Sequence, residues 1–231
     1  MDRPTGLVDQ LADRDATAGW LAGELGYDSP ISGRDHAGCL KTDHRIVVLG
    51  AGSAAIGVAD MISTALVDEG LTQQQAADRF WFVDIDGLLV RSRSELTPEQ
   101  RIYGRDDTEV RHWGAGAPDL ARVVGAVRPT VLIGLSTSHG AFTEQVVRTM
   151  ADVCDRPVIL PLSNPTSHAE ADPADLARWT GGRALVATGS PFPPLKVDGR
   201  EVPVAQANNV YVFPAIGLAV TPAGPPGSPA E

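Results

Sequence analysis

Basic residues are scarce in this chain: 19 lysines and arginines stand against 29 aspartates and glutamates, a formal net charge of −10. Binding a phosphate backbone needs clustered Lys and Arg, so this balance excludes nucleic acid as a partner. The surplus acid is read as serving solubility. Cysteine is nearly absent as well. Cys39 and Cys154 lie far apart and form no CxxC pair, which implies neither a zinc site nor a disulfide framework. Cys154 closes the apolar pattern of an expected helix and is assigned to the core. The histidines, His36, His44, His112, His139 and His168, show no HxxxH-type spacing, and no metal site is expected from them. No apolar run approaches the ~18 residues of a transmembrane helix, so no membrane partner is expected. The opening MDRPTGLVDQ lacks the basic region and apolar core of a secretory signal. The expected location is the cytoplasm.

What is present is enough chain for one large domain: 231 residues can bury a sizeable core. Residues 1–43 read as an N-terminal helical segment and linker. Leu7, Leu11, Trp20, Leu21 and Leu25 are its candidate apolar contacts, and turn-forming residues follow from 28 onward. Residues 44–220 alternate strand and helix signals. Strands are expected at 45–49, 80–84, 130–134, 157–162 and 184–188, as continuous apolar runs suited to burial on both faces of a parallel sheet. Helices are expected over 54–68, from Thr72 as N-cap, over 119–127 ahead of Pro129, over 143–154, and from Asp172-Pro173 as cap and first turn. The stretch between 84 and 119 reads as a polar loop. The tail, 221–231, is rich in proline and glycine and is expected to be disordered. This alternation predicts an α/β fold: a doubly wound, mostly parallel Rossmann-type sheet with helices on both faces.

Chemistry-bearing residues gather after the strands. Leu49-Gly50-Ala51-Gly52-Ser53-Ala54-Ala55-Ile56-Gly57 satisfies G-x-G-x-x-A between a strand and a helix. Gly50 would permit the tight turn and Gly52 the close approach of a pyrophosphate. Small Ala55 and Gly57 would let the helix pack on the sheet, and the helix N-terminus would favour the anion. A tight turn without a ligand is the competing reading. Asp84, ending the second strand, is placed to accept from adenosine ribose hydroxyls and to repel a 2′-phosphate. NAD is therefore expected, with NADP as the alternative if Arg91 or Arg93 receives a phosphate. Gly134, Leu135 and Ser136 follow the third strand, and Ser163 and Asn164 follow the fourth, where ligands bind in open parallel sheets. Asn-Pro is equally a turn initiator. Asn208 and Asn209 precede an apolar run, either as a strand cap or as a ligand-orienting pair. His139 is the histidine placed nearest the crevice.

VVLGAGSAAIGVADMI, FWFVDIDGLLV, RPVILPLSNPTSHAE, TGSPFPPLK and QANNVYVFPAIGLAV occur in this order, and together they resemble the NAD(P)-binding domain of malic enzymes over residues 44–220. The resemblance implies that Gly50, Gly52, Ser53, Ala54, Ala55 and Asp84 bind the dinucleotide. It places Asn164 and Asn209 beside nicotinamide and a malate-type substrate, with Asn208 adjacent. It also implies oxidation of a 2-hydroxy acid followed by decarboxylation with a divalent metal, Mg or Mn. The family's catalytic tyrosine and lysine and its acidic metal ligands lie N-terminal to this domain, and residues 1–43 match none of them; Asp35 in SGRDHAG is a faint echo. Ser53 stands where an acidic residue is common, and STSHGAFT departs from the usual glycine/alanine-rich loop.

Three expectations follow. The first is a hydride-transferring component whose separately encoded catalytic partner supplies the metal ligands and acid–base pair. The second is a non-catalytic NAD-binding module or pseudoenzyme. The third is a standalone enzyme in which His139 or Asp35 replaces the lost groups. Surface that the absent parts would cover predicts association, as a homo-oligomer or with that partner.

Overall fold

A computed structural model describes residues 43–197 and 200–207. The expectations for the N-terminal segment, Asp35, His36, Cys39, Asn208, Asn209 and the tail lie outside the described residues.

The valine- and isoleucine-rich runs form the expected strands: β1 (Ile46–Leu49), β2 (Phe80–Asp84), β4 (Val131–Gly134), β5 (Val158–Pro161) and β6 (Leu185–Thr188). Two short strands extend the sheet, β3 (Gly87–Leu88) and β9 (Ala205–Gln206). The order is β3-β2-β1-β4-β5-β6-β9. All neighbours run parallel except β2 and β3, which are antiparallel. β7 (Leu195–Val197) and β8 (Arg200–Val202) pair antiparallel in a separate two-stranded sheet.

Side chains alternate across the sheet with the two-residue period of a strand. Ile46, Val48, Phe80, Phe82 and Ile133 face one core; α1 (Ser53–Asp68), α2 (Gln73–Ala77) and α3 (Pro98–Tyr103) cover it. Val47, Leu49, Trp81, Val83, Leu132 and Ile159 face the other, under α5 (Leu120–Val127), α6 (Glu144–Ala151) and α7 (Pro173–Thr180). The fold is the doubly wound Rossmann type that the sequence predicts. Among the described residues no helix is long and apolar enough to cross a membrane.

Local chemistry explains where the helices start. Thr72 and Thr97 form capping boxes with Gln75 and Gln100, each satisfying two backbone donors at once. Asp172 caps α7 ahead of Pro173, and Arg128, held before Pro129, ends α5 in the left-handed region, consistent with proline disfavouring a right-handed predecessor.

Two expectations need correction. The stretch after Asp84 is not a plain polar loop, since it carries β3, α3 and α4 (Asp107–Val110). Cys154 is not in the core: α6 ends at Ala151, and Cys154 sits partly buried just beyond it. Its backbone N–H still donates to the Met150 carbonyl at 3.0 Å.

Candidate functional site

The sheet reverses its winding direction at β1, which lies between β2 and β4. Crossovers leave β1 on one side and return on the other, opening a crevice at the carboxyl ends of the strands. Three strand ends are stitched together there. The Gly50 N–H donates to the Val83 carbonyl at 2.8 Å, and the Leu135 N–H donates to the Leu49 carbonyl at 2.8 Å. Gly50 has φ +105°, and a Cβ on it would lie 2.4 Å from the Leu135 carbonyl oxygen. Only glycine fits this crossing of β1 and β4.

Gly52 is the opposite case. A Cβ there would meet nothing within 4 Å. Gly52 is the N-cap of α1, with no side-chain cap and no acidic residue in the first turn. Every other α-helix described starts under a Thr or Asp side chain that accepts a backbone N–H. Ser53 and Ala54 are exposed on this bare turn, while Ala55 is buried against the sheet. The turn itself is fastened from across the fold: the Gln100 side-chain amide donates to the Ala51 carbonyl at 2.8 Å.

Gly57 does not have the packing role the motif suggests. It is exposed, and a Cβ on it would meet nothing within 4 Å. Glycine in a helix interior costs about 1 kcal/mol relative to alanine. Gly57→Ala is therefore expected to raise the melting temperature by a few degrees, read by a thermal melt.

Asp84 ends β2 beside Gly50, and its carboxylate is already engaged. Arg93 Nη1 donates to Oδ1 at 2.9 Å and Nη2 to Oδ2 at 2.8 Å, while the Asp86 N–H donates to Oδ1 at 2.8 Å. Glu95 holds the Arg93 Nε at 2.6 Å, and Asp86 lies 3.6 Å from Nη2. The hydrogen bonds that it donates to Asp84, above all, raise the guanidinium's pKa and keep it charged. Arg93, singled out in the sequence with Arg91 as a group that could bind a 2′-phosphate, is thus neutralised by carboxylates. Arg91 instead donates through Nε to the Gly104 carbonyl at 2.9 Å.

At the other end of the crevice, Ser136 and Ser163 converge on a residue that the sequence reading passed over. Glu170 is fully buried, and its Oε1 accepts from the Ser136 N–H at 2.9 Å, the Ser136 hydroxyl at 2.9 Å and the Ser163 hydroxyl at 2.5 Å. A Cβ on Gly134 would fall 2.4 Å from the Glu170 Cδ, so Gly134 makes room for this side chain. The available signal was an acid between two alanines, Ala169 and Ala171, both buried. Asn164 is exposed, with the Ser190 hydroxyl donating to its Oδ1 at 2.5 Å. His139, His112 and His168 are exposed. His44 lies at the opposite, N-terminal edge of the sheet against Thr130, and burial lowers its pKa.

Tyr103 is a structural bolt. Its hydroxyl donates to Asp60 Oδ1 at 2.6 Å, and burial, reinforced by that bond, pushes the phenol's pKa well above its ordinary value. Among the described residues no three His, Cys, Asp or Glu side chains gather as a metal ion would require.

Comparison with known proteins gives one answer throughout. The family model described as malic enzyme, NAD binding domain, matches residues 31–225. "NAD-dependent malic enzyme 3" of Bacillus subtilis is 49% identical over 180 residues, 76% of this chain and 32% of that protein. The "NAD-dependent malic enzyme" of Acinetobacter baylyi is 46% identical over 190 residues, 81% of this chain and 34% of that protein. A Shewanella protein of the same name (strain MR-4) is 45% identical with the same coverage. The chain spans about a third of the length of these relatives.

Proposed function

The chain belongs to the malic enzyme NAD-binding domain family, and on that premise we propose that residues 44–220 hold NAD for hydride transfer from malate or a related 2-hydroxy acid. The observation that supports this most is the start of α1. It is the α-helix described without a side-chain cap, it opens onto space beside Gly52, and it lies at the winding reversal of the sheet. A bare helix N-terminus offers N–H donors and positive partial charge to an anion.

In this reading Gly50, Gly52, Ser53, Ala54 and Ala55 form the cradle for the pyrophosphate. Asp84 receives an adenosine ribose hydroxyl: a carboxylate accepts at about four positions, and Arg93 and the Asp86 N–H use three of them. Gly134, Leu135, Ser136 and Ser163 border the nicotinamide, with Asn208 completing the cofactor contacts. Asn164 and Asn209 orient the 2-hydroxy acid against it. NAD, when bound, supplies the hydride acceptor. Decarboxylation also needs a metal to polarise the substrate and an acid–base pair to move protons. Among the described residues no His, Cys, Asp or Glu cluster could hold that metal. We propose that a separate catalytic subunit supplies these groups, and that the chain associates with it, or with further copies of itself, in the cytoplasm.

The charge around Arg93 predicts the cofactor form. An incoming 2′-phosphate would meet Asp84, Asp86 and Glu95 around a single guanidinium. NAD is expected to bind at least about tenfold more tightly than NADP, a difference of ~1.4 kcal/mol. Replacing the exposed acids together, Asp86→Asn with Glu95→Gln, is expected to narrow that ratio only several-fold, because exposed pairs contribute about 0–1 kcal/mol. Parallel titrations with the two dinucleotides measure both.

Turnover tests the rest. The chain given NAD, malate and Mn²⁺ is expected to form no NADH alone and to form it with its catalytic subunit. NAD binding without turnover in any pairing would establish the non-catalytic module instead.

A further inference from the structure

We propose that Glu170 is a positioning residue for the nicotinamide end of the crevice, an inference that rests on the NAD reading above. Glu170 is 0% exposed and, among the described residues, makes no ion pair. Burying an ionisable group is costly, and an apolar side chain of similar volume usually serves stability as well or better. What Glu170 provides is a bridge between two loops.

One carboxylate oxygen gathers both groups of Ser136 together with the Ser163 hydroxyl. The other oxygen accepts from the Ser163 N–H at 3.3 Å. The bridge continues outward, because the Ser163 hydroxyl oxygen accepts from the Thr137 N–H at 2.9 Å. Thr137 has φ +57°, a conformation that non-glycine residues hold only when their surroundings fix it. The main chain of the same segment clamps the far end of the loop: the Glu170 carbonyl accepts from the Phe142 N–H at 2.9 Å, and the Ala169 carbonyl from the Gly140 N–H at 3.2 Å. The loop after β4 and the turn carrying Ser163 and Asn164 thereby become one rigid rim. This rim lies at the ends of β4 and β5, on the opposite side of β1 from Asp84. It can therefore govern the nicotinamide half of the cofactor without touching the adenosine half.

The test compares NAD with ADP-ribose, which keeps the adenosine and diphosphate but lacks the nicotinamide ring. Glu170→Gln keeps the side chain's size but turns an NH₂ group toward serine donors. It is expected to weaken NAD binding about tenfold, in line with the loss of hydrogen bonds to a charged group, while ADP-ribose affinity stays within about twofold. Ser163→Ala removes one arm of the bridge and leaves the carboxylate. It is expected to give the same split at several-fold, and it carries the test should the Gln variant fail to fold. Equal losses for both ligands, or no loss for either, would overturn the proposal. Failure of the parent chain to bind either ligand is a different result, and it would overturn the cofactor reading on which this proposal stands.

Discussion

Gly50→Ala is expected to destabilise the domain by on the order of 3 kcal/mol, lowering the melting temperature by roughly 10 °C. Two independent costs coincide at this position. The backbone sits at φ +105°, which L-residues rarely adopt, and the added methyl would lie 2.4 Å from a backbone carbonyl. A flexible side chain could swing away, but the Leu135 carbonyl cannot, because the Leu135 N–H is fixed to Leu49. Relief would require β1 and β4 to separate at the centre of the sheet. Gly57→Ala is the internal control, with the opposite sign from the same chemical change seven residues away. A thermal melt of both variants decides the matter; equal shifts would show that the crossing at Gly50 is looser than the structure has it.

Gly52→Val should give the largest effect on binding with little effect on folding. Gly52 lies at φ −73° and ψ 177°, an extended conformation open to valine, and its Cβ position is empty. The added bulk would occupy the space through which a pyrophosphate reaches the α1 N–H groups. We expect NAD affinity to fall on the order of a hundredfold, ~2.7 kcal/mol, with the melting temperature nearly unchanged. Titration of parent and variant with NAD measures the fall. Undiminished affinity would place the diphosphate elsewhere.

The parts of this fold that could be read from sequence were those set by local rules. Continuous apolar runs gave five of the six parallel strands, and the Gly50–Gly57 loop could be placed because strand, turn and helix signals adjoin. Thr72, and Asp172 with Pro173, marked helix starts from one or two residues. Between 84 and 119 the same kind of signal was present, in the Thr97–Gln100 capping box and the Asp106 cap. Those helices are too short and too polar to show an apolar period, so the stretch read as loop.

What could not be read depends on distance along the chain. Asp84 and Arg93 meet because the chain doubles back through β3. Glu170 reaches Ser136 across 34 residues, and its flanking alanines hint at burial without indicating which groups it meets. Gly57 misled because spacing assigns a residue to a helix but not to its packed face. The site is thus partly a sequence motif and partly a set of long-range contacts that only the folded chain brings together.

Whether this domain holds NAD at the bare start of α1 is decided by calorimetric titration of the purified chain with NAD. Saturable binding of one NAD per chain is expected, with NADP weaker by at least about tenfold. A folded chain that takes up no NAD at millimolar concentration, or that binds NADP more tightly, would contradict it.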